Sequence, residues 1–214
     1  MTTTSQLSTS LIAHLKPDRV KERSEAVLDL PTPRMAGAPL MELLARRKSH
    51  REFAPTPLPI ELLSDLLWAA FGINRPDTGG RTAPSAMNAQ EIDVYAAMAG
   101  GTYVLDARPH QLHRVAEVDA RELAGYTDFV DHATLDLIYV ADTAHTREVP
   151  IAEQELYAAA CAGAIAQNVY LFCAGHGLST VLRGWFDRVA LGQALRLGHH
   201  EKVLFTQTVG FAAH

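Results

Sequence analysis

The chain has 214 residues, 48% hydrophobic and 20% charged, the balance of an ordinary globular domain able to bury its own core. Its 19 basic and 24 acidic residues give a formal net charge of -5, so no basic excess exists to neutralise a nucleic-acid backbone or an anionic lipid surface. Two cysteines, Cys161 and Cys173, are too few for a disulfide framework or a Cys-rich zinc site, and their apolar helical surroundings predict buried thiols.

In chain order, Met1 to Ser10 are polar and rich in Thr and Ser, unlike a signal peptide. No segment reaches the roughly 20 apolar residues of a membrane span. A soluble, reduced, cytoplasmic protein is expected. Residues 1–38 read as an arm or edge-wrapping segment, charged first and then punctuated by prolines from Leu30 to Pro39, which fix the backbone against helix.

Leu40 to Arg46 predicts a short helix. A second helix is expected over Ile60 to Phe71, with Pro59 suited to its first turn and Gly72 to its stop. Asn74 to Ala83 is turn-rich. Ile92 to Ala99 and Thr102 to Leu105, around Gly100-Gly101, read as a hairpin. Gln111 to Ala116 and Arg121 to His132 read as mostly helical. Leu135 to Ala141 is a near-continuous apolar run of strand length. Ile151 to His176 is the strongest helix, apolar nearly all round and so expected to be central, with Gly175 and Gly177 ending it. Leu178 to Leu182 is extended, Phe186 to Leu197 helical, and Lys202 to Phe211 a final strand. The elements lack the regular rhythm of a parallel sheet. The expected fold class is α+β, with a central, mainly antiparallel sheet flanked by helices.

Three stretches could carry chemistry. In the first, Arg47, Lys48, Ser49 and Arg51, the two arginines share a face on a helix, and all of Arg47, Ser49 and Arg51 share a side in an extended chain. Two guanidiniums and a hydroxyl suit a phosphate; a solvated basic turn is the plainer alternative. The second is Pro84, Ser85, Ala86, Met87, Asn88 and Gln90. Here Pro84 fixes the chain, small residues admit a flat ligand, and Asn88 and Gln90 offer donors and acceptors; a side-chain-capped turn is the alternative. The third, after Gly177, ends in Leu182, Arg183 and Gly184, where a glycine lets backbone N–H groups face a ligand; an ordinary helix stop and turn is the alternative. Ten histidines lack metal-ligand spacing, so no metal is expected. No G-x-G-x-x-G, phosphate loop or G-x-S-x-G is present.

The order of these stretches resembles the nitroreductase family of FMN-dependent oxidoreductases. Arg47, Ser49 and Arg51 match an Arg-x-Ser-x-Arg opening, and Pro84, Ser85, Asn88 and Gln90 match a Pro-Ser-x-x-Asn-x-Gln loop. Gly163, Gln167 and Asn168 followed by Gly177 and Leu178 match a small-residue helix and its exit. Val209, Gly210 and Phe211 match the closing strand. The likeness is nearest to the subgroup that includes azoline dehydrogenases, carried by Leu62 to Ile73 and by Arg81 before Pro84-Ser85. The Lys-Tyr pair those enzymes place ahead of the central helix has no counterpart here, and neither do basic residues after Phe211.

The resemblance implies a nitroreductase-like sandwich over residues 39–214, an intertwined homodimer, and FMN held by Arg47, Lys48, Ser49, Arg51, Pro84, Ser85, Ala86, Met87, Asn88, Gln90, Leu182, Arg183 and Gly184. It implies that the Leu182–Gly184 turn reaches in from the partner, with a backbone N–H near flavin N5. It further implies ping-pong hydride transfer from NAD(P)H through FMN to a small-molecule acceptor such as a nitroaromatic or quinone, with no dedicated acid or base. A non-catalytic flavin binder and a dehydrogenase of peptide azolines are the alternatives.

Overall fold

The computed structural model describes residues 26–126 and 133–213. Most of the expected arm, the second half of the Arg121 to His132 stretch, and His214 lie outside them. Nine strands occur among the described residues: β1 Val27–Asp29, β2 Ile73–Arg75, β3 Gly80–Arg81, β4 Ile92–Met98, β5 Gly101–Asp106, β6 Gln111–Ala116, β7 Leu135–Asp142, β8 Leu178–Arg183 and β9 Glu201–Phe211. The α-helices are α1 Leu40–Arg46, α2 Ile60–Phe71, α3 Ile151–His176 and α4 Arg188–Ala194. Seven strands form one antiparallel sheet in the order β1-β6-β5-β4-β7-β9-β8, while β2 and β3 make a separate small hairpin. The expected α+β class with a large antiparallel sheet is borne out.

Both faces of the sheet are covered, and β7 shows why its sequence reads as one apolar run. Leu135, Leu137 and Tyr139 point into the core beneath α2 and α3. Ile138 and Val140 point the other way, into a second core with Leu191 of α4 and Ala120 of a short 3-10 turn. A strand buried on both sides loses the usual alternation of apolar and polar residues.

The helices follow their caps. Pro39, Pro59 and Pro150 each stand just before a helix, where a missing N–H costs nothing. Gly177 closes α3 in the left-handed conformation at φ 69°, which glycine adopts without a Cβ penalty. At 26 residues, α3 is long and apolar enough to cross a membrane, which corrects the reading that no segment reaches that length. It is nonetheless a core element here: Ala158, Cys161, Ala162, Ile165, Ala166 and Val169 are buried in the cluster shared with the sheet and α2. Cys161 and Cys173 are free and buried, and burial pushes both thiols up, Cys161 to about 12.

Two expectations need correction. Gln111 to Ala116 is a strand: it pairs with β5 through Asp106 and Gln111 and with β1 on its other side. The Pro109-His110 reversal, with His110 at φ 54°, makes it the return limb of a hairpin. Phe186 to Leu197 is helical only over Arg188–Ala194, because Asp187 caps the helix, its carboxylate accepting from Val189 N and Ala190 N at 3.0 and 2.9 Å. The described end of the expected arm or edge-wrapping segment lies against the domain. β1 lies on the sheet edge, and the Arg34 backbone N–H and Nε both donate to the Asp65 carboxylate of α2 at 2.8 Å.

Glu91, just before β4, is 1% exposed, and neither carboxylate oxygen has a hydrogen-bond partner among the described residues. Burial raises its pKa above the ordinary glutamate value. A carboxyl that holds its proton more tightly when folded lends its full stability below the unfolded pKa and loses it as pH rises through the folded one. Glu91→Gln is expected to raise Tm at about pH 8 and leave it nearly unchanged at about pH 4, read by thermal unfolding across that range; an equal shift at both ends would exclude the charge as the cause.

Candidate functional site

The first stretch begins where α1 ends. Arg47 donates its backbone N–H to Leu43 O at 2.9 Å but has left helical geometry at φ -56°, ψ 123°. Residues 47–52 are then non-helical, and Arg47 and Ser49 both meet Tyr170, the arginine over its ring and the serine at its hydroxyl. His50 N donates to Thr180 O of β8 at 2.9 Å, and Ala54 N to Phe211 O of β9 at 2.9 Å. The segment is thus laid along the end of the large sheet.

Tyr170 of α3 joins this segment to the third stretch. Its hydroxyl lies 2.8 Å from Ser49 Oγ and accepts the Leu182 backbone N–H at 2.9 Å. Its ring carries the Arg47 guanidinium 5.3 Å from the centroid, a cation–π geometry. Leu182 and Arg183 are the last residues of β8, paired with Gln207 and Thr206 of β9, and the turn expected there begins only at Gly184; this strand end stands beside Arg47 and Ser49 of the same chain.

The turn is held at two further points. The Arg183 guanidinium donates to Asp136 Oδ1 of β7 at 2.5 Å, and the same oxygen accepts from Thr208 Oγ1 at 2.7 Å. Asp136 is fully buried. Burial pushes its carboxyl up to about 6, against the opposing pull of Arg183 and Thr208. Gly125 makes room for the pair, since a Cβ there would fall 1.9 Å from Arg183 Nη1. Gly184 O accepts from Arg188 Nη2 at 2.9 Å, and that nitrogen also reaches Leu204 O at 3.1 Å. Trp185, next in the chain, is 79% exposed and meets Tyr126 edge-on at 5.7 Å.

The Pro84 to Gln90 loop is preset by its own contacts. Ser85 Oγ accepts from Gln90 N at 3.0 Å, and Asn88 N donates to Ser85 O at 3.1 Å. Ala86–Asn88 forms a 3-10 turn. Met87, Asn88 and Gln90 have φ of 52°, 55° and 51°, a concentration of left-handed non-glycine residues that costs conformational energy and recurs at binding sites. The Gln90 amide is committed within the protein: Oε1 accepts from Arg81 Nε at 2.9 Å, and Nε2 donates to Gly79 O at 3.0 Å and Asn88 Oδ1 at 3.2 Å. Arg81 in turn lies over Phe71 and donates to its carbonyl at 3.1 Å. Gln90 therefore shapes the loop, while the Met87 side chain and the small residues around it face outward. Among the described residues, no hydrogen bond joins this loop to the 47–51 segment or the 182–184 turn.

Sequence reasoning missed Tyr170, Asp136 and Arg188. Asp136 left a trace, an acid within the apolar run Leu135 to Ala141, which demands a buried partner. Tyr170 left a weaker one, a polar-tipped aromatic on the apolar face of a helix.

An antiparallel sheet sandwiched by helices, with a cationic segment and a strand end meeting at Tyr170, defines the molecule as an α+β protein. The sequence profile of the nitroreductase family matches residues 44–211, and the chain belongs to that family. It is an oxidoreductase of the nitroreductase type. A provisionally named nitroreductase of Methanocaldococcus jannaschii is 27% identical over 187 residues, 83% of this chain and 94% of that one. The crystal structure of a provisionally named nitroreductase from Ralstonia eutropha is 46% identical, with a TM-score of 0.85 over 89% of this chain and 91% of that one. The NADPH:FMN oxidoreductase of Vibrio harveyi, in complex with NAD+, shares the fold at 20% identity and a TM-score of 0.61, over 82% of this chain and 69% of that one.

Breaking the ion pair beneath the turn tests its weight. Arg183→Met should destabilise the protein by about 3 kcal/mol or more at about pH 8, because it strands a buried carboxylate. The penalty should shrink as pH falls through about 6, where Asp136 takes up a proton. Urea unfolding at both pH values checks this, and a pH-independent penalty would contradict it.

Proposed function

We propose that the protein is an FMN-dependent oxidoreductase that takes reducing equivalents from NAD(P)H and delivers them to a small organic acceptor such as a nitroaromatic or quinone. The observation that carries this reading is the junction at Tyr170, where Arg47, Ser49 and the Leu182 backbone converge. The donor set fits the cofactor. Arg47, Ser49 and Arg51, at alternate positions of a non-helical segment, supply two charged groups and a neutral hydroxyl for a phosphomonoester, with Lys48 adding positive potential nearby. Bound FMN would supply the redox chemistry, exchanging a hydride equivalent with the nicotinamide and then with the acceptor.

The protein's part is positional and electrostatic. The turn Leu182, Arg183 and Gly184 presents backbone to the ring system, and its three clamps keep that backbone still. The Arg183 side chain is turned inward to Asp136, so its contribution is the placement of its own peptide. The Pro84, Ser85, Ala86, Met87, Asn88 and Gln90 loop offers a narrow, prearranged face to a planar heterocycle, with Gln90 and Arg81 acting from behind. No side chain is assigned as acid or base.

A homodimer that brings this loop over the partner's 47–51 segment completes the site. Exposed apolar residues support such pairing: Leu40, Met41 and Leu44 of α1, and Ile151 and Leu156 of α3. The free thiols of Cys161 and Cys173 suit a reducing, cytoplasmic setting.

Purified protein is expected to carry a flavin spectrum that bleaches on anaerobic titration with NADH or NADPH and returns when a quinone or nitroaromatic is added. A colourless protein that binds no added FMN would overturn the reading, and a flavin that stays oxidised would reduce it to a binding protein. Arg51→Ala should weaken FMN binding about tenfold, the loss of one charge-assisted hydrogen bond, with little change for riboflavin. Fluorescence titration measures both.

A further inference from the structure

We propose that Tyr170 is a positioning residue that couples anion occupancy at Arg47, Ser49 and Arg51 to the conformation of the Leu182–Gly184 turn, so that the phosphate end of the cofactor sets the backbone at its redox end. This rests on the FMN reading above and goes beyond it by assigning a role to a residue that is no candidate ligand.

The argument begins with hydrogen-bond valence. A phenol has one proton to donate and two lone pairs to accept with. One lone pair of the Tyr170 hydroxyl is taken by Leu182 N–H. Its contact with Ser49 Oγ, at 2.8 Å, can run in either direction. Without an anion, the Ser49 proton can point to Tyr170 or to water. An anion beside Arg47 and Arg51 draws that proton to itself, because a hydroxyl donates best to a charged acceptor. Ser49 Oγ is then an acceptor only, and Tyr170 must donate to it.

The result is one directed chain: Leu182 N–H to Tyr170 O, Tyr170 O–H to Ser49 O, Ser49 O–H to the anion. Each bond polarises the next, so the bond at Leu182 strengthens when the anion is present. Tyr170 is 9% exposed, so water competes weakly for its hydroxyl. Its ring also carries the Arg47 guanidinium at 5.3 Å. The same side chain thus steadies a cation of the anion site and the backbone of the turn.

The test uses the apo protein with inorganic phosphate, FMN and riboflavin. Amide exchange at Leu182 is read by NMR and flavin affinity by fluorescence. In the wild type, phosphate should slow exchange at Leu182, and FMN should bind more tightly than riboflavin. In Tyr170→Phe, the Leu182 amide should no longer respond to phosphate. FMN affinity should fall about tenfold with a much smaller loss for riboflavin, a selective effect that general loosening of the fold would not produce. Ser49→Ala, on an exposed residue, keeps the Tyr170–Leu182 bond but cuts the chain, so it too should abolish the phosphate response; it carries the test if Tyr170→Phe does not fold. A wild type whose Leu182 amide ignores phosphate, or variants that keep the response and the preference for FMN, would overturn the coupling. A wild type that binds neither flavin while its Leu182 amide still responds to phosphate would overturn the FMN reading and leave the coupling standing.

Discussion

The contact between the Tyr170 hydroxyl, Ser49 and the Leu182 backbone organises the end of the molecule where the site lies. Ser49 and Tyr170 are 121 positions apart, and neither side chain has a reason to be there without the other. The helix that carries Tyr170 is buried against the sheet and α2, so the hydroxyl arrives at a fixed height. The arginine segment is then drawn along the sheet end by backbone bonds from His50 and Ala54. Rigid elements set the coordinates, and a short irregular segment takes its shape from them.

Much of the fold was legible because local signals and global packing agree. Leu40 to Arg46, Ile60 to Phe71 and Ile151 to His176 carry prolines at one end, and for the last two a glycine at the other. The prolines act through a fixed φ and Gly177 through its left-handed backbone, whereas Gly72 is extended and leaves room for Trp68. Gln111 to Ala116 was misread because its six residues alternate imperfectly, with Leu112 in one core and Val115 in the other. Its strand character comes from β5 and β1 on either side, which the local sequence does not contain. The extra length assigned to α4 ignored Asp187, a capping residue whose carboxylate fixes where the helix begins.

The site was legible in part for a related reason. Arg47, Ser49 and Arg51, and the turn at Gly184, announce themselves by residue type at short spacing. Their supports do not. Asp136 is meaningful only once Arg183 is known to lie above it, and Tyr170 only once two distant segments are known to meet there. Gln90 shows the same limit from the other side: its amide is engaged by Arg81, Gly79 and Asn88, partners that its place in the motif does not name. Residue type reveals what can bind, whereas partner identity decides what is left over to do so.

The arginine segment also guards a vulnerable border. β8 is the last strand of the sheet, and an outer strand offers unpaired amides and carbonyls to any neighbouring chain. The bond from His50 N to Thr180 O covers that border with the same stretch that presents Arg47, Ser49 and Arg51. The strip of backbone proposed to hold the anion thus also shields a sheet edge, so on that reading a change that frees it would expose the edge and loosen the anion's donors together.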